Sequence, residues 1–311
     1  MKIVYLDAST LGNIPMDPVS SLGEYEGWPG STRVESLERV RDAEVLIVNK
    51  IRVDEELLSA APKLRLVCEA ATGTDNIDMA AAARHGVAVR NVVAYSTESV
   101  VQVTFMHILS LAGDAPRFDT FVKEGSYSRS GLFTEVSAPW MELSGKKIGI
   151  VGMGRIGSRV AEVAKAFGME VSYYSTSGTC HCKDYPSVPL ERLLSESDVI
   201  SIHAPLNAAT RGLIGKRELS LMKPTAFLVN MGRGGIVDEA ALAEAVDGGV
   251  IAGAALDVFT AEPLPADHPF MRMAHPERMR LTPHAAWASK EAMERLLKGI
   301  ALNIREFTPT L

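Results

Sequence analysis

Short apolar runs alternate with stretches of helical periodicity along almost the whole chain. In the first ninety residues, Lys2–Leu6, Val45–Asn49, Arg65–Ala70 and Val87–Val92 predict buried strands, with helices between them over Ser36–Asp42, Glu55–Ala61 and Asn76–His85. Asn13–Gly30 is rich in Pro, Gly and Ser and predicts an irregular surface loop. Glu98–Leu111 predicts a long helix, apolar around most of its circumference and capped by Ser96 or Thr97. A second helix is expected over Arg117–Glu124, and Gly125–Leu143 has no clear period. Further on, Ile148–Val151, Glu170–Tyr174, Val199–His203, Ala226–Asn230, Ile251–Val258 and Arg280–Thr282 read as strands. Helices are expected over Leu190–Leu194, Glu218–Met222 and Glu239–Val246, and a final amphipathic one over Lys290–Glu306.

Strand–helix alternation of this kind predicts α/β architecture, with parallel sheets covered by helices on both faces. The first half lacks its last helix and the chain ends with one to spare. The terminal helix is therefore expected to return to the first domain. The prediction is two doubly wound domains, residues 1–96 with 288–311 and residues 97–287, joined twice, near Tyr95–Glu98 and His284–Lys290. A double crossover makes a hinge over a cleft. Ligands of open α/β sheets sit beyond the carboxyl ends of strands, so residues just after strands carry the interest.

One such place is Gly152-Met153-Gly154-Arg155-Ile156-Gly157, a GxGxxG between the strand at Ile148 and a helix marked by Ile156, Val160, Val163, Ala164 and Phe167. The first glycine allows a tight turn, the second lets backbone approach a pyrophosphate, and the third lets helix and strand pack closely. In this strand–turn–helix–strand context the motif predicts a Rossmann dinucleotide-binding domain over residues 97–287, leaving a substrate domain in the remainder.

Composition narrows the class. The chain has 311 residues, 47% hydrophobic and 23% charged, with a formal net charge of −6. Such a balance disfavours nucleic acid or an anionic membrane as partner. Three cysteines (Cys68, Cys180, Cys182) give no disulfide framework and fit a reducing compartment, the cytoplasm. Cys180-His181-Cys182 lacks a second ligand pair at zinc spacing, so it reads as a polar loop, and no metal is expected. The apolar stretch Val100–Gly113 contains Gln102, Thr104, His107 and Ser110 and is too short to span a membrane.

Three further post-strand positions carry chemistry: Arg233, Glu262 and His284. An Arg can clamp a substrate carboxylate with its planar fork. A His can give or take the proton that accompanies hydride transfer, and a Glu bonded to it fixes its tautomer and favours its protonated form. Each alone is unremarkable; their joint occurrence downstream of a GxGxxG is much less expected by chance.

With these residues in view, the chain resembles the D-isomer-specific 2-hydroxyacid dehydrogenase family over nearly its whole length, and most of all its glycerate dehydrogenases (hydroxypyruvate reductases). The resemblance rests on Asp7-Ala8-Ser9-Thr10-Leu11-Gly12, Ala71-Thr72-Gly73-Thr74-Asp75-Asn76-Ile77-Asp78 and Tyr95-Ser96-Thr97-Glu98-Ser99-Val100. It rests also on the GxGxxG, on Arg233-Gly234-Gly235-Ile236-Val237-Asp238-Glu239, on Asp257-Val258-Phe259 with Glu262-Pro263, and on Thr282-Pro283-His284-Ala285-Ala286-Trp287-Ala288-Ser289. It implies a flavodoxin-like first domain, and a homodimer held largely by the second. It also implies a carboxylate-binding loop at Thr72-Gly73, and the roles already argued for Arg233, Glu262 and His284. The cofactor site it implies comprises Thr104, Gly152, Gly154, Arg155, Ile156, Gly157, Ser175, Thr176, His203, Ala204, Pro205, Thr210, Met231, Gly232, Asp257 and Ala286. Trp287 would close the pocket. Trp140 could reach a neighbouring subunit or pack inside, and Lys50 is expected to be solvated.

The chain departs from the family pattern twice. Gly232 stands where Ala or Ser is common before the Arg, which should loosen that loop. At the end of Glu170–Tyr174, at close to the expected spacing of about 20 residues, the NAD-selecting acid is replaced by Ser175-Thr176-Ser177. NAD or NADP is therefore expected as cofactor, with NADPH tolerated. The expected function is interconversion of a small 2-oxo acid and its D-2-hydroxy acid, hydroxypyruvate and D-glycerate leading. The alternatives are another D-2-hydroxy acid (glycolate, D-lactate, phosphoglycerate), or an NAD(H)-sensing binding protein without turnover.

Overall fold

The computed structural model describes residues 1–137, 139–180 and 182–307. The chain divides into two compact units, Met1–Ser96 with Trp287–Leu311 and Thr97–Ala286. Trp287 belongs to the first unit, one residue short of the expected boundary. Its ring stands edge-on to Tyr95 at 6.3 Å, within the apolar cluster of that unit.

The first unit holds five parallel strands, β1 Lys2–Tyr5, β2 Glu24–Gly27, β3 Val45–Val48, β4 Leu66–Glu69 and β5 Ala88–Arg90, in the order β2-β1-β3-β4-β5. This is the flavodoxin-like order. Both faces of the sheet are covered, so β3 is apolar at every position, and β1 and β4 are apolar but for Lys2 and Glu69 at their ends. Val4, Leu46 and Val67 pack towards Leu57, Leu58 and Ala81. Ile3, Ile47 and Leu66 pack with Leu296, Ile300 and Ile304 of the terminal helix Lys290–Arg305, which thus lies on this sheet.

Strand β2 and a short helix, Asp17–Ser20, occupy the segment expected to be an irregular loop. β2 is an edge strand whose Glu24 and Gly27 are exposed. It pairs in parallel with β1, and Lys2 Nζ meets Glu26 Oε1 at 2.9 Å. Pairing at an exposed margin uses backbone groups and charged side chains, so the apolar pattern is silent there. The helix expected from Ser36 starts at Arg33, because Thr32 and Glu35 form a reciprocal capping box.

The second unit holds six parallel strands, β6 Lys147–Val151, β7 Glu170–Tyr174, β8 Val199–Ile202, β9 Phe227–Asn230, β10 Gly253–Leu256 and β11 Met279–Leu281. Their order is β11-β10-β9-β8-β6-β7. A single parallel bridge, Tyr173 to Ser187, sets one further residue beside β7. Counting it as a vestigial strand gives the 3-2-1-4-5-6 sequence of a dinucleotide-binding sheet, with one strand more at the end. The long helix Thr97–Ala112 packs against Arg155–Ala166 and against β9 and β10. Within the stretch without period, Ser126–Ser130 forms a short helix, and Trp140 is 60% exposed rather than packed inside. Among the described residues no helix is long and apolar enough to cross a membrane.

Candidate active site

At the end of β6 the chain turns at Gly152, with φ +94°, into the helix Arg155–Ala166. A Cβ on Gly152 would stand 2.9 Å from Ala204 N, and one on Gly157 would collide with the Gly152 carbonyl oxygen. Only glycine allows this turn to lie so close under the helix. Gly154 is the N-cap of that helix and offers no side-chain cap, and the space its Cβ would fill is open. The first-turn N–H groups are thus left for an anion from outside.

Beyond the turn lies a cavity of about 330 Å³ within this unit. Of the expected cofactor residues it is lined by Gly152, Gly154, Ser175, Thr176, His203 and Pro205. Met153, Tyr173, Thr179 and Asn207 also line it, though sequence reasoning gave them no role. Met153, Thr179 and Asn207 lie in the loops following β6, β7 and β8, and Tyr173 lies near the end of β7. Ser175 donates its hydroxyl hydrogen to Thr179 O at 2.7 Å, and no Asp, Glu, Lys or Arg lines the cavity. His203 Nε2 lies 2.8 Å from Ser201 Oγ, while Nδ1 is buried and unpartnered. Burial holds its pKa well below the usual imidazole value, so the ring is neutral. An uncapped helix start, an open glycine cradle and an orphaned ring nitrogen on one cavity together fit a dinucleotide.

The other expected cofactor residues are placed differently. Thr104 and Thr210 have no exposed surface, and their hydroxyls donate to Val100 O at 2.7 Å and Pro205 O at 2.6 Å. Ala204, Met231, Gly232, Asp257 and Ala286 are buried, Ile156 is half-buried and Arg155 is exposed. Gly232 does not loosen its loop. Asn230 accepts from Gly232 N at 3.0 Å and donates to Arg233 O at 3.0 Å, clamping both sides of the turn. A Cβ on Gly232 would lie 2.8 Å from Ala204 O, so the glycine serves close packing.

Arg233, Glu262 and His284 follow β9, β10 and β11 in the same unit. The pair that carries the chemistry is tight: His284 Nδ1 and Glu262 Oε2 are 2.7 Å apart. Oε1 of Glu262 accepts from Phe259 N at 2.9 Å, which fixes the carboxylate plane. With Nδ1 facing the carboxylate, Nε2 is the nitrogen that remains for proton exchange. Arg233 is half-buried and donates from Nη1 to Gly232 O at 3.0 Å.

Two buried carboxylates hold these loops, and sequence reasoning had missed what they do. Asp257 Oδ1 accepts from Thr282 Oγ1 at 2.6 Å and Ala285 N at 2.9 Å, and Oδ2 from Ala286 N at 2.9 Å. The Asp257 carbonyl accepts from His284 N at 2.7 Å, and His284 takes a positive φ of 53°. Behind them, Glu239 Oε1 accepts from Thr260 N at 2.7 Å while Oε2 meets His268 Nε2 at 2.9 Å. That pair ties the loop carrying Glu262 to the helix Glu239–Asp247.

In the first unit, Thr72 and Gly73 follow β4 in a loop fastened at its near end. Val92 N donates to Ala71 O at 3.1 Å and Thr72 Oγ1 to Val92 O at 3.0 Å. The amides of Thr72, Gly73 and Thr74 donate no hydrogen bond among the described residues. Three successive N–H groups of this kind suit a carboxylate. Lys50 is exposed. Cys180 is exposed and Cys182 half-buried, His181 lies outside the described residues, and no group of metal-ligating side chains is found among those described.

Fold and turn chemistry together define an oxidoreductase of the nicotinamide dinucleotide type. Residues 105–286 match the family model of the D-isomer specific 2-hydroxyacid dehydrogenase NAD binding domain. The chain is 45% identical to a glyoxylate reductase of Aeropyrum pernix, over 87% of this chain and 82% of that protein. It is 35% identical to a glycerate dehydrogenase of Methylorubrum extorquens, over 98% of this chain and 96% of the relative. Among solved structures, an NADPH-dependent glyoxylate/hydroxypyruvate reductase of Sinorhizobium meliloti, in complex with citrate, superposes with a TM-score of 0.83 at 26% identity, covering 98% of this chain and 93% of that one. The chain belongs to the D-isomer specific 2-hydroxyacid dehydrogenase family, and its activity is that of a nicotinamide-dependent 2-hydroxyacid dehydrogenase acting on a CH–OH donor.

Proposed function

We propose that the enzyme reduces hydroxypyruvate to D-glycerate, using NADH or NADPH, and runs the reverse reaction when cofactor and product ratios favour it. The observation that carries the reading is the His284–Glu262 pair at 2.7 Å, with Glu262 itself held by Phe259 N. A bound reduced nicotinamide supplies the hydride that reaches the carbonyl carbon. His284 then gives its Nε2 proton to the carbonyl oxygen while Glu262 holds Nδ1. Arg233 binds the substrate carboxylate and polarises the carbonyl, and the open amides of Thr72 and Gly73 are the first unit's candidates for carboxylate binding. Trp287 closes the pocket. Gly152, Gly154, Gly157 and the first turn from Arg155 and Ile156 hold the pyrophosphate, with Ser175 and Thr176 at the adenosine ribose. His203 and Pro205 form the opposite wall, and Thr104, Ala204, Thr210, Met231, Gly232, Asp257 and Ala286 shape it from behind.

Residues 1–96 with 287–311 supply the substrate domain in this reading, and residues 97–286 the cofactor domain. A homodimer forms through the second unit, where Leu132, Phe133, Val136 and Trp140 are all exposed. The enzyme works in the cytoplasm, where its three free cysteines stay reduced.

The name and coverage of the Methylorubrum relative support hydroxypyruvate. The higher identity to the Aeropyrum protein supports glyoxylate as a second substrate. The test is oxidation of NADH and of NADPH with hydroxypyruvate, glyoxylate and pyruvate, with product chirality resolved. The expected result is the highest kcat/KM with hydroxypyruvate and D-glycerate as sole product. A preference for pyruvate, or an L-product, refutes the assignment. No turnover with any of the three would favour a cofactor-sensing protein.

A further inference from the structure

The first unit contains a carboxyl group that the proposed mechanism does not use. Glu69, the last residue of β4, has no exposed surface. Its Oε2 accepts from Asn76 Nδ2 at 2.9 Å, and its Oε1 is buried without a partner. Asn76 donates also to Ile51 O at 3.0 Å and accepts from Val53 N at 2.9 Å through its carbonyl. Asn76 therefore fastens the far end of the loop whose near end is held at Ala71 and Thr72. Between these two points lie the open amides of Thr72, Gly73 and Thr74.

We propose that Glu69 is a positioning residue that sets the affinity for the substrate carboxylate, holding the 71–76 loop through Asn76 from a site sealed from solvent. This rests on the reading that the Thr72–Gly73 amides bind that carboxylate. The charge state of Glu69 is then decisive. A neutral acid adds no field to the loop, whereas an ionised one places a buried negative charge beneath amides that must receive another anion. Burial pushes the Glu69 carboxyl up to about 8, with the charges of Asp7 and Asp75 adding and the Asn76 bond and Lys50 charge opposing. The other groups around it do not reverse this. Tyr5 of β1 is itself held neutral by burial, Arg90 of β5 bears on Cys68, and the helix Lys290–Arg305 packs on this sheet with apolar residues. Glu69 is thus neutral where the substrate binds well and gains charge as pH rises past about 8. The binding loop carries its own pH response.

The test is steady-state kinetics of the enzyme with saturating NADH and hydroxypyruvate between pH 6.5 and 9.5, for the parent, Glu69→Gln and Gly73→Val. For the parent, KM should rise about tenfold between pH 7 and 9, the ratio of protonated fractions for a group titrating near 8. Glu69→Gln reproduces the neutral acid. Its KM should stay within about twofold across the range, while its kcat keeps the parental pH profile. If its KM climbs with the parental slope, the proposal is overturned. Gly73→Val separates the two claims: if it leaves KM unchanged, the carboxylate-loop reading fails and the proposal falls with it. If it raises KM while Glu69→Gln tracks the parent, only the proposal fails. Infrared spectra of the parent give a readout that needs no variant to fold. A carbonyl band of an un-ionised carboxylic acid should persist at pH 7 and vanish by pH 9.5; its absence at pH 7 also overturns the proposal.

Discussion

Replacing Asp257 by Asn should both destabilise the second unit and slow the enzyme, and the size of the effect can be worked from its contacts. The side chain is 2% exposed and its two oxygens take three donors, Thr282 Oγ1, Ala285 N and Ala286 N. An Asn carbonyl placed at Oδ1 can keep the first two, now as neutral bonds of roughly half the strength. At Oδ2 an amide N–H would face the Ala286 N–H, two donors without an acceptor, in a residue only 3% exposed. One charge-assisted bond is worth about 1.5–3 kcal/mol, and a buried orphan donor costs about 1–3 kcal/mol. Because the two overlap, the expected loss is about 2–4 kcal/mol. For a cooperative unit of this size that lowers the unfolding temperature by roughly 4–16 °C. The loop released is the one that presents His284, so kcat should fall as well, with cofactor binding less affected. Thermal unfolding of the apoprotein, monitored by circular dichroism, gives the first number and stopped-flow reduction of hydroxypyruvate the second. Thr282→Val, which removes one donor, leaves the carboxylate its other two and strips the buried His107 Nε2 of its partner at 3.1 Å, should cost about 1–3 kcal/mol. If Asp257→Asn melts within about 2 °C of the parent and turns over at the parental rate, the carboxylate does not hold this loop.

Arg233→Lys keeps a charge but loses the planar fork, so it should raise KM, lower kcat and reduce kcat/KM by roughly 30- to 1000-fold in steady-state assays. NADH binding, followed by fluorescence, should be nearly unchanged, and a parental kcat/KM would remove Arg233 from the site. Glu262→Gln removes the negative charge 2.7 Å from His284 Nδ1. The ring then loses the charged acceptor that orients it, so the reductive kcat should fall while NADH binding stays near parental, and a parental kcat would dissolve the pair. NADPH should serve within about tenfold of NADH in kcat/KM, a gap of ~1.4 kcal/mol, since no acid lines the ribose end of the cavity. A thousandfold preference for NADH would contradict that.

The elements legible in the sequence were those whose apolar pattern is forced by burial. Strand β7 runs from Glu170 to Tyr174 as expected, because Val171 and Tyr173 alternate inward between fixed glycine and loop signals. The helix after the GxGxxG is legible for the same reason. Strand β2 is not, since Glu24, Tyr25 and Glu26 form a margin that only backbone pairing defines. Glu69 was hidden in a different way: a carboxylate in sequence is read as charged and exposed, and only the packed sheet shows it sealed at the end of β4. Of the candidate site, the contact between His284 and Glu262 was anticipated from their positions after strands, while the Gly232 turn was misjudged. The local composition suggested freedom, and the Asn230 clamp that removes it depends on folding the side chain back over its own turn.

A common device underlies these loops. Asp7, after β1, accepts from the amides of Asn49, Lys50 and Ile51, which follow β3. Asn230, at the end of β9, accepts from Gly232, and Asp257, after β10, accepts from Ala285 and Ala286 after β11. In each case a buried polar side chain at the carboxyl end of one strand satisfies loop amides that the sheet itself cannot pair. Unpaired buried N–H groups cost about 1–3 kcal/mol each, so such loops are rigid only where a partner is supplied. The amides of Thr72, Gly73 and Thr74 are the contrast: they follow β4, where the corresponding carboxyl group, Glu69, turns to Asn76 instead of to them. The loop is held at its two ends and its middle amides are left unspent, which is the arrangement a site needs if its last acceptor is to be the substrate.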